Sequence, residues 1–379
     1  MLRQIGDIVI RARTREGVTV DKLAQQAGVD PAVLRALERG EAGISTAALD
    51  RVAQQLQLDG ASLLVGEEVP HPRASIFLRH SGTQDFNHDA EEALDRALEA
   101  GRHLRFLNDR LGVEPSVRRS PEIRVREAGP QAASDGYELA RRVRRLLKAP
   151  SAPIGDLGEL LEERFEVVVL VAALGTPAMT AVSVRDTSGA AAVVLNSMDP
   201  KRRENLQLAR THLAHELCHL LYDPSDGGLH LVIDRLDDDD SRGQNVERAE
   251  QRARAFAAEF LLPLSGLVDL LRTPAYTESE TVGRELVAKA RKHFCTPWEI
   301  AVNHLNHQGY LSDDVRLALL RQGPRGASPG SIETRLPPDG SPSFVMRERV
   351  KRANEELIIS DGQARVALGL SISEALPWE

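Results

Sequence analysis

Only two cysteines, Cys218 and Cys295, occur in 379 residues, too few for a disulfide framework. The opening residues lack the apolar core of a secretory signal, and together these absences favour a protein of the reducing cytoplasm. Long hydrophobic runs are missing too. The longest stretch of note, Val167 to Leu174, falls far short of the roughly 20 apolar residues that cross a bilayer, which excludes a membrane-spanning role. Nor is there an excess of positive charge: a net charge of -8 gives no whole-chain footprint for nucleic acid. Any DNA contact must be local.

What is present suits a soluble globular protein. Hydrophobic residues at 42% and charged residues at 27% allow a sizeable core, and the length calls for two or three domains at roughly 100–200 residues each. Four stretches are distinguished: residues 1–60, a small helical bundle; 61–130, a helical linker region; 131–322, which holds the chemistry and ends in a C-terminal helical element; and 323–379, a flexible linker and short helical tail. The expected class is mainly α with a small β-sheet, an α+β protein.

Within the first stretch, Val20 to Ala27 reads as a helix and Gly28 as a tight turn. Asp30-Pro31 is a start signal, with the N-cap on Asp30 and proline at the first helical position of a second helix, Pro31 to Arg39. Ala24, Val29, Leu34 and Leu37 are spaced to pack inward, as a helix-turn-helix requires. The strings L-A-Q-Q-A-G-V and L-R-A-L-E-R-G resemble the XRE-type repressor domains over roughly residues 4 to 58. That resemblance implies that Pro31 to Arg39 is the recognition helix. On its outward face Arg35 and Arg39 can reach phosphate or a guanine edge, whereas Ala32 and Ala36 offer apolar contact. Residues 1 to 60 contain eight basic and eight acidic side chains, so the module is neutral and weakly equipped for phosphate; docking a partner or dimerising is the other role open to it.

Further on, Ala90 to Leu111 places Leu94, Leu98, Leu104, Leu107 and Leu111 on one helical face, for core packing, for packing against the next domain or as a homodimer seam. A basic helix from Gly136 through Lys148, a helix near Ile154 to Arg164, and strands at Val167 to Val171 and Ala191 to Leu195 follow. The helix that carries the chemistry begins near Arg203. After Gly309 the pattern thins, and Gly323 to Pro342, rich in Gly, Pro and Ser, reads as a flexible linker.

The informative string is H-E-L-C-H, His215 to His219. Residues four apart share a helix face, so both imidazoles can address one ion with Glu216 beside it as a base. Leu213, Leu217, Leu220 and Leu221 supply apolar packing, and neither Pro nor Gly interrupts the stretch. A catalytic zinc takes three protein ligands and keeps an open position. The third should come from the strongly helical segment Val246 to Pro263, where Glu247, Glu250 and Glu259 are the candidates.

Taken together, H-L-A-H-E-L-C-H and E-Q-R-A-R-A-F-A-A-E-F-L-L-P resemble the ImmA/IrrE metallopeptidases over roughly Gly136 to Leu320. The resemblance implies a minimal zincin-like metallopeptidase domain with His215, His219 and Glu250 as metal ligands and Glu216 as general base. Thr211, His212 and Cys218 depart from the family pattern without touching the ligands. Zn2+ is the implied metal, although two histidines and one carboxylate also suit Mn2+ or Fe2+. The implied substrate is an XRE-type repressor protein, cleaved to relieve transcriptional repression under stress, with operator DNA as a second partner of the N-terminal module. The rival class is a DNA-binding transcriptional regulator whose metal site is structural or sensing and turns nothing over. The acidic run Asp237 to Asp240 reads as a solvated loop.

Overall fold

The computed structural model describes residues 2–15, 17–56, 58, 60–64, 66, 88–114, 117–120, 123, 131–186, 188–199, 206–223, 230–235, 244–272, 276–324, 332, 335–371 and 374–378. The run Asp237 to Asp240 and Arg203 lie outside them. The chain divides into two units, Met1–His80 and Ser81–Glu379.

In the first unit, α1 (Leu2–Arg15), α2 (Val20–Ala27), α3 (Pro31–Glu38), α4 (Thr46–Gln55) and α5 (Gly60–Leu64) close around Ile5, Ile8, Val9, Leu23, Leu34, Leu37, Val52 and Leu56. Gly28 makes the turn in the left-handed region at φ 60°, which only glycine adopts without steric cost. Its N–H and that of Val29 return to Gln25 O and Ala24 O, closing α2 with a Schellman-type cap. Asp30 then starts α3, its carboxylate accepting from Ala32 N at 2.7 Å.

The second unit is built on a four-stranded mixed sheet of order β1-β3-β2-β4, from β1 (Val167–Ala172), β2 (Met179–Arg185), β3 (Ala191–Asn196) and β4 (His230–Arg235). β1 runs parallel to β3, while β2 is antiparallel to both β3 and β4. Every residue of β1 and β3 is buried, so the sheet is covered on both faces, which explains why these strands read as continuous apolar runs. Val167, Val169, Val171, Val193 and Leu195 share a core with α7 (Ala132–Leu146), α8 (Leu157–Phe165), α9 (Leu206–Tyr222) and α10 (Gln244–Leu261). The helix α6 (His88–Arg110) packs on β1 and β3, and the expected row Leu94, Leu98, Leu104, Leu107 and Leu111 is buried. Beyond α10, a second cluster joins α11 (Leu264–Leu271), α12 (Glu280–Phe294), α13 (Trp298–His307) and α14 (Asp313–Gln322).

Past Gly309, still within the stretch 131–322, α14 is capped by Ser312 and buries Val315, Ala318 and Leu319. One expectation is corrected: residues 335–342 are not a flexible linker. Arg335 N donates to Asp156 Oδ2 at 2.8 Å, and Gly340 N to Val171 O of the edge strand β1 at 2.8 Å. Ser343 bonds the buried carboxyl of Glu162 and caps α15 (Phe344–Glu355), which precedes α16 (Asp361–Ala367). A Gly, Pro and Ser-rich composition is compatible with order where each freed backbone group finds a partner on the body.

Candidate metal centre and helix-turn-helix surface

The helix α9 is enclosed almost all round, with Ala209, Arg210 and every residue from Leu213 to Tyr222 buried. Two arginines tie it to its surroundings. Arg210 donates to Gly155 O and Ile154 O at 2.6 and 2.7 Å. Arg185, from β2, donates to Leu220 O at 2.6 Å and Asp223 O at 3.3 Å, placing a cation at the negative C-terminal end of the helix. α10 packs along α9, and α7 along α10. Gly136 of α7 permits that approach, because a Cβ there would collide with the carbonyl of Arg252 and lie 2.9 Å from Phe256 N.

Among the described residues, one group of three could hold a metal ion: His215, His219 and Glu250, with ligand atoms within 4.8 Å of one another. Nε2 of His215 and Nε2 of His219 are 3.0 Å apart, and the Glu250 carboxylate lies 3.2 Å from the first and 3.5 Å from the second. All three are buried. Two imidazole nitrogens and a carboxylate converging away from solvent form a donor set that a divalent cation satisfies. The structure thus fits a metal here.

The other two glutamate candidates are elsewhere. Glu247 is exposed. Glu259 is an anchor: it pairs with Arg141 at 2.9 Å and His304 at 3.4 Å and accepts from Leu264 N at 3.1 Å. Burial alone would raise its carboxyl, but His304 close by and the hydrogen bond from Arg141 hold it below the usual range. Glu216, the proposed base, is fully buried beside His215. His212 is half-buried and outside the ligand group, while burial pushes the Cys218 thiol far up, so it stays a neutral packing group.

Asp223 and Arg252 are polar residues at this centre that lie outside the ligand group and that neither sequence motif marks as functional. Nδ1 of His219 is 2.7 Å from Asp223 Oδ2, and Arg252 donates to Asp223 Oδ1. The available signal was the i, i+4 spacing of Asp223 after His219, a same-face spacing.

On the first unit, Ala32, Arg35 and Arg39 are exposed and Ala36 is half-buried. Each arginine is met by a carboxylate: Arg35 pairs with Asp21, and Arg39 with Glu41 at 2.8 Å. The hydrogen bond to Glu41 holds the Arg39 guanidinium more firmly protonated. Any phosphate reaching this face displaces those carboxylates.

Residues 162–304 match the family model of the IrrE N-terminal-like domain, peptidase M78, and residues 9–63 match that of a helix-turn-helix. The peptidase match spans His215, Glu216, His219 and Glu250, and the helix-turn-helix match spans α2 and α3. No curated protein matches it. Among the described residues no helix is long and apolar enough to cross a membrane.

Proposed function

We propose, with an M78 peptidase domain and a helix-turn-helix on one chain as the premise, that this protein is a zinc-dependent endopeptidase that cleaves an XRE-type transcriptional repressor. The observation that carries the reading is the buried convergence of His215, His219 and Glu250 with Glu216 next to the first histidine. The three converging residues would hold the ion, zinc by donor type, though manganese and iron accept the same set. A zinc ion held there would supply Lewis acidity for the scissile carbonyl and would lower the pKa of a water towards about 7. Glu216 takes the proton of the attacking water and passes it to the leaving nitrogen. Enclosure of α9 keeps bulk water from screening these charges. The helix-turn-helix brings the peptidase to its substrate, through operator DNA or by docking the repressor.

The test incubates the metal-loaded chain with the XRE-type repressor encoded nearest to its gene, with Glu216→Gln as control. Specific cleavage by the original chain alone is the expected result. Metal bound without cleavage, across zinc, manganese and iron loadings, would overturn the peptidase reading and leave a DNA-binding regulator with a sensing site.

A further inference from the structure

Asp223 follows the last residue of α9 and continues its hydrogen bonding, Asp223 N to His219 O at 3.0 Å. Its side chain faces two ways. One oxygen meets Nδ1 of His219 at 2.7 Å; the other accepts from Arg252 on α10, two residues beyond Glu250. The side chains are nearly enclosed, 10% exposed for Asp223 and 6% for Arg252. The main chain there is held as well, by Arg185.

A carboxylate paired with a guanidinium is an acceptor and not a donor. In the Nδ1–H tautomer His219 donates to this carboxylate, and its Nε2 keeps a lone pair. That nitrogen points at Nε2 of His215 and the Glu250 carboxylate, 3.0 and 3.5 Å away. We infer that Asp223 and Arg252 are a positioning pair, which fixes the tautomer of His219 and at the same time sets the register of α10 against α9. The inference rests on reading His215, His219 and Glu250 as the metal ligands. Neither residue touches the substrate. Asp223 acts through His219, and Arg252 acts through Asp223 and through the helix that it shares with Glu250. One carboxylate thus links the two helices on which the ligand group depends, and neither helix alone can assemble it.

The test uses the full chain with zinc as the probe. Zinc affinity is measured by competition with a chromophoric chelator, and the His219 tautomer of the metal-free chain by long-range proton–nitrogen NMR correlation. The original chain should show His219 protonated on Nδ1. Asp223→Ala should weaken zinc binding by ~10–100-fold, the usual cost of losing a partner of a ligating histidine, and should lose the Nδ1–H preference. Arg252→Met should weaken zinc, whereas Arg252→Lys, which keeps a cation on Asp223, should restore most of the affinity. Should Asp223→Ala fail to fold, Asp223→Asn and the two Arg252 variants give the same readouts. Unchanged zinc affinity with an unchanged His219 tautomer in the folded variants would overturn the inference. If the original chain binds no zinc, the metal-centre reading falls instead, while the NMR measurement still decides the Asp223–His219 pairing.

Discussion

A neutral imidazole has one proton to place on two nitrogens, and a glutamate can accept a proton only if nothing else claims its charge. Both facts bear on α9, where His215, Glu216 and His219 are all buried. Glu216→Gln changes one atom type without altering volume, so it should keep zinc near the original stoichiometry and lower peptide turnover by ~100-fold or more; a turnover assay on metal-loaded protein checks it. At the other functional surface the ion pair of Arg35 with Asp21 competes with phosphate. Asp21→Asn should tighten binding to a mixed-sequence duplex by ~1.4–5-fold, the equivalent of the ~0.2–1 kcal/mol of an exposed pair, read by fluorescence anisotropy at low salt. No change would mean that Arg35 does not meet DNA.

Among the elements, the contact of α7 with α10 is sensitive to a single added carbon. Gly136→Ala drives a methyl into the backbone of Arg252 and Phe256, and overpacking of this kind costs ~1–3 kcal/mol. Thermal unfolding should shift down, and because α10 carries Glu250, zinc should bind more weakly. The attachment of the C-terminal segment responds to pH. Burial pushes the carboxyl of Glu162 up to about 7, against the hydrogen bonds from Ser343 and Val169 that favour its charged form, with Asp156 and Glu163 adding like charge. The folded chain holds this proton more tightly than the unfolded chain does. The stability it brings is therefore complete below the ordinary carboxylate range and is lost as pH rises through about 7, a change of about 3 kcal/mol. The melting temperature should fall between pH 5 and 8.5, and Glu162→Gln, which cannot ionise, should flatten that fall.

The elements also show what a reader of the sequence can and cannot see. The turn at Gly28, the cap at Asp30 and the apolar strands β1 and β3 are local patterns and were legible. Strand β2, M-T-A-V-S-V-R, was not, because Thr180 and Ser183 are buried in it and mimic the polar spacing of a loop. β4, H-L-V-I-D-R, hides because its apolar run is only three residues long. Glu250 could be singled out from Glu247 and Glu259 only by resemblance, since all three sit on one helix. Its separation from Glu259 is a matter of which face meets α9. Asp223 and Arg252 meet across two helices, a contact that no spacing along the chain records.

At the scale of the molecule, each unit has its own apolar core, and the matched peptidase span, residues 162–304, is smaller than the body that supports it. α6 covers β1 and β3, Gly340 bonds the edge of β1, and Arg349 reaches Asn108 at 3.1 Å. Elements from before and after the matched span therefore stabilise the sheet against which α9 rests. Whether one divalent ion is held between α9 and α10 is decided by elemental analysis of the purified chain after stoichiometric zinc supply. One zinc per chain is expected, retained in Glu216→Gln and lost in His219→Ala and in Glu250→Ala. A chain that takes up no zinc, or that keeps it in both ligand variants, would rule out an ion held by these residues.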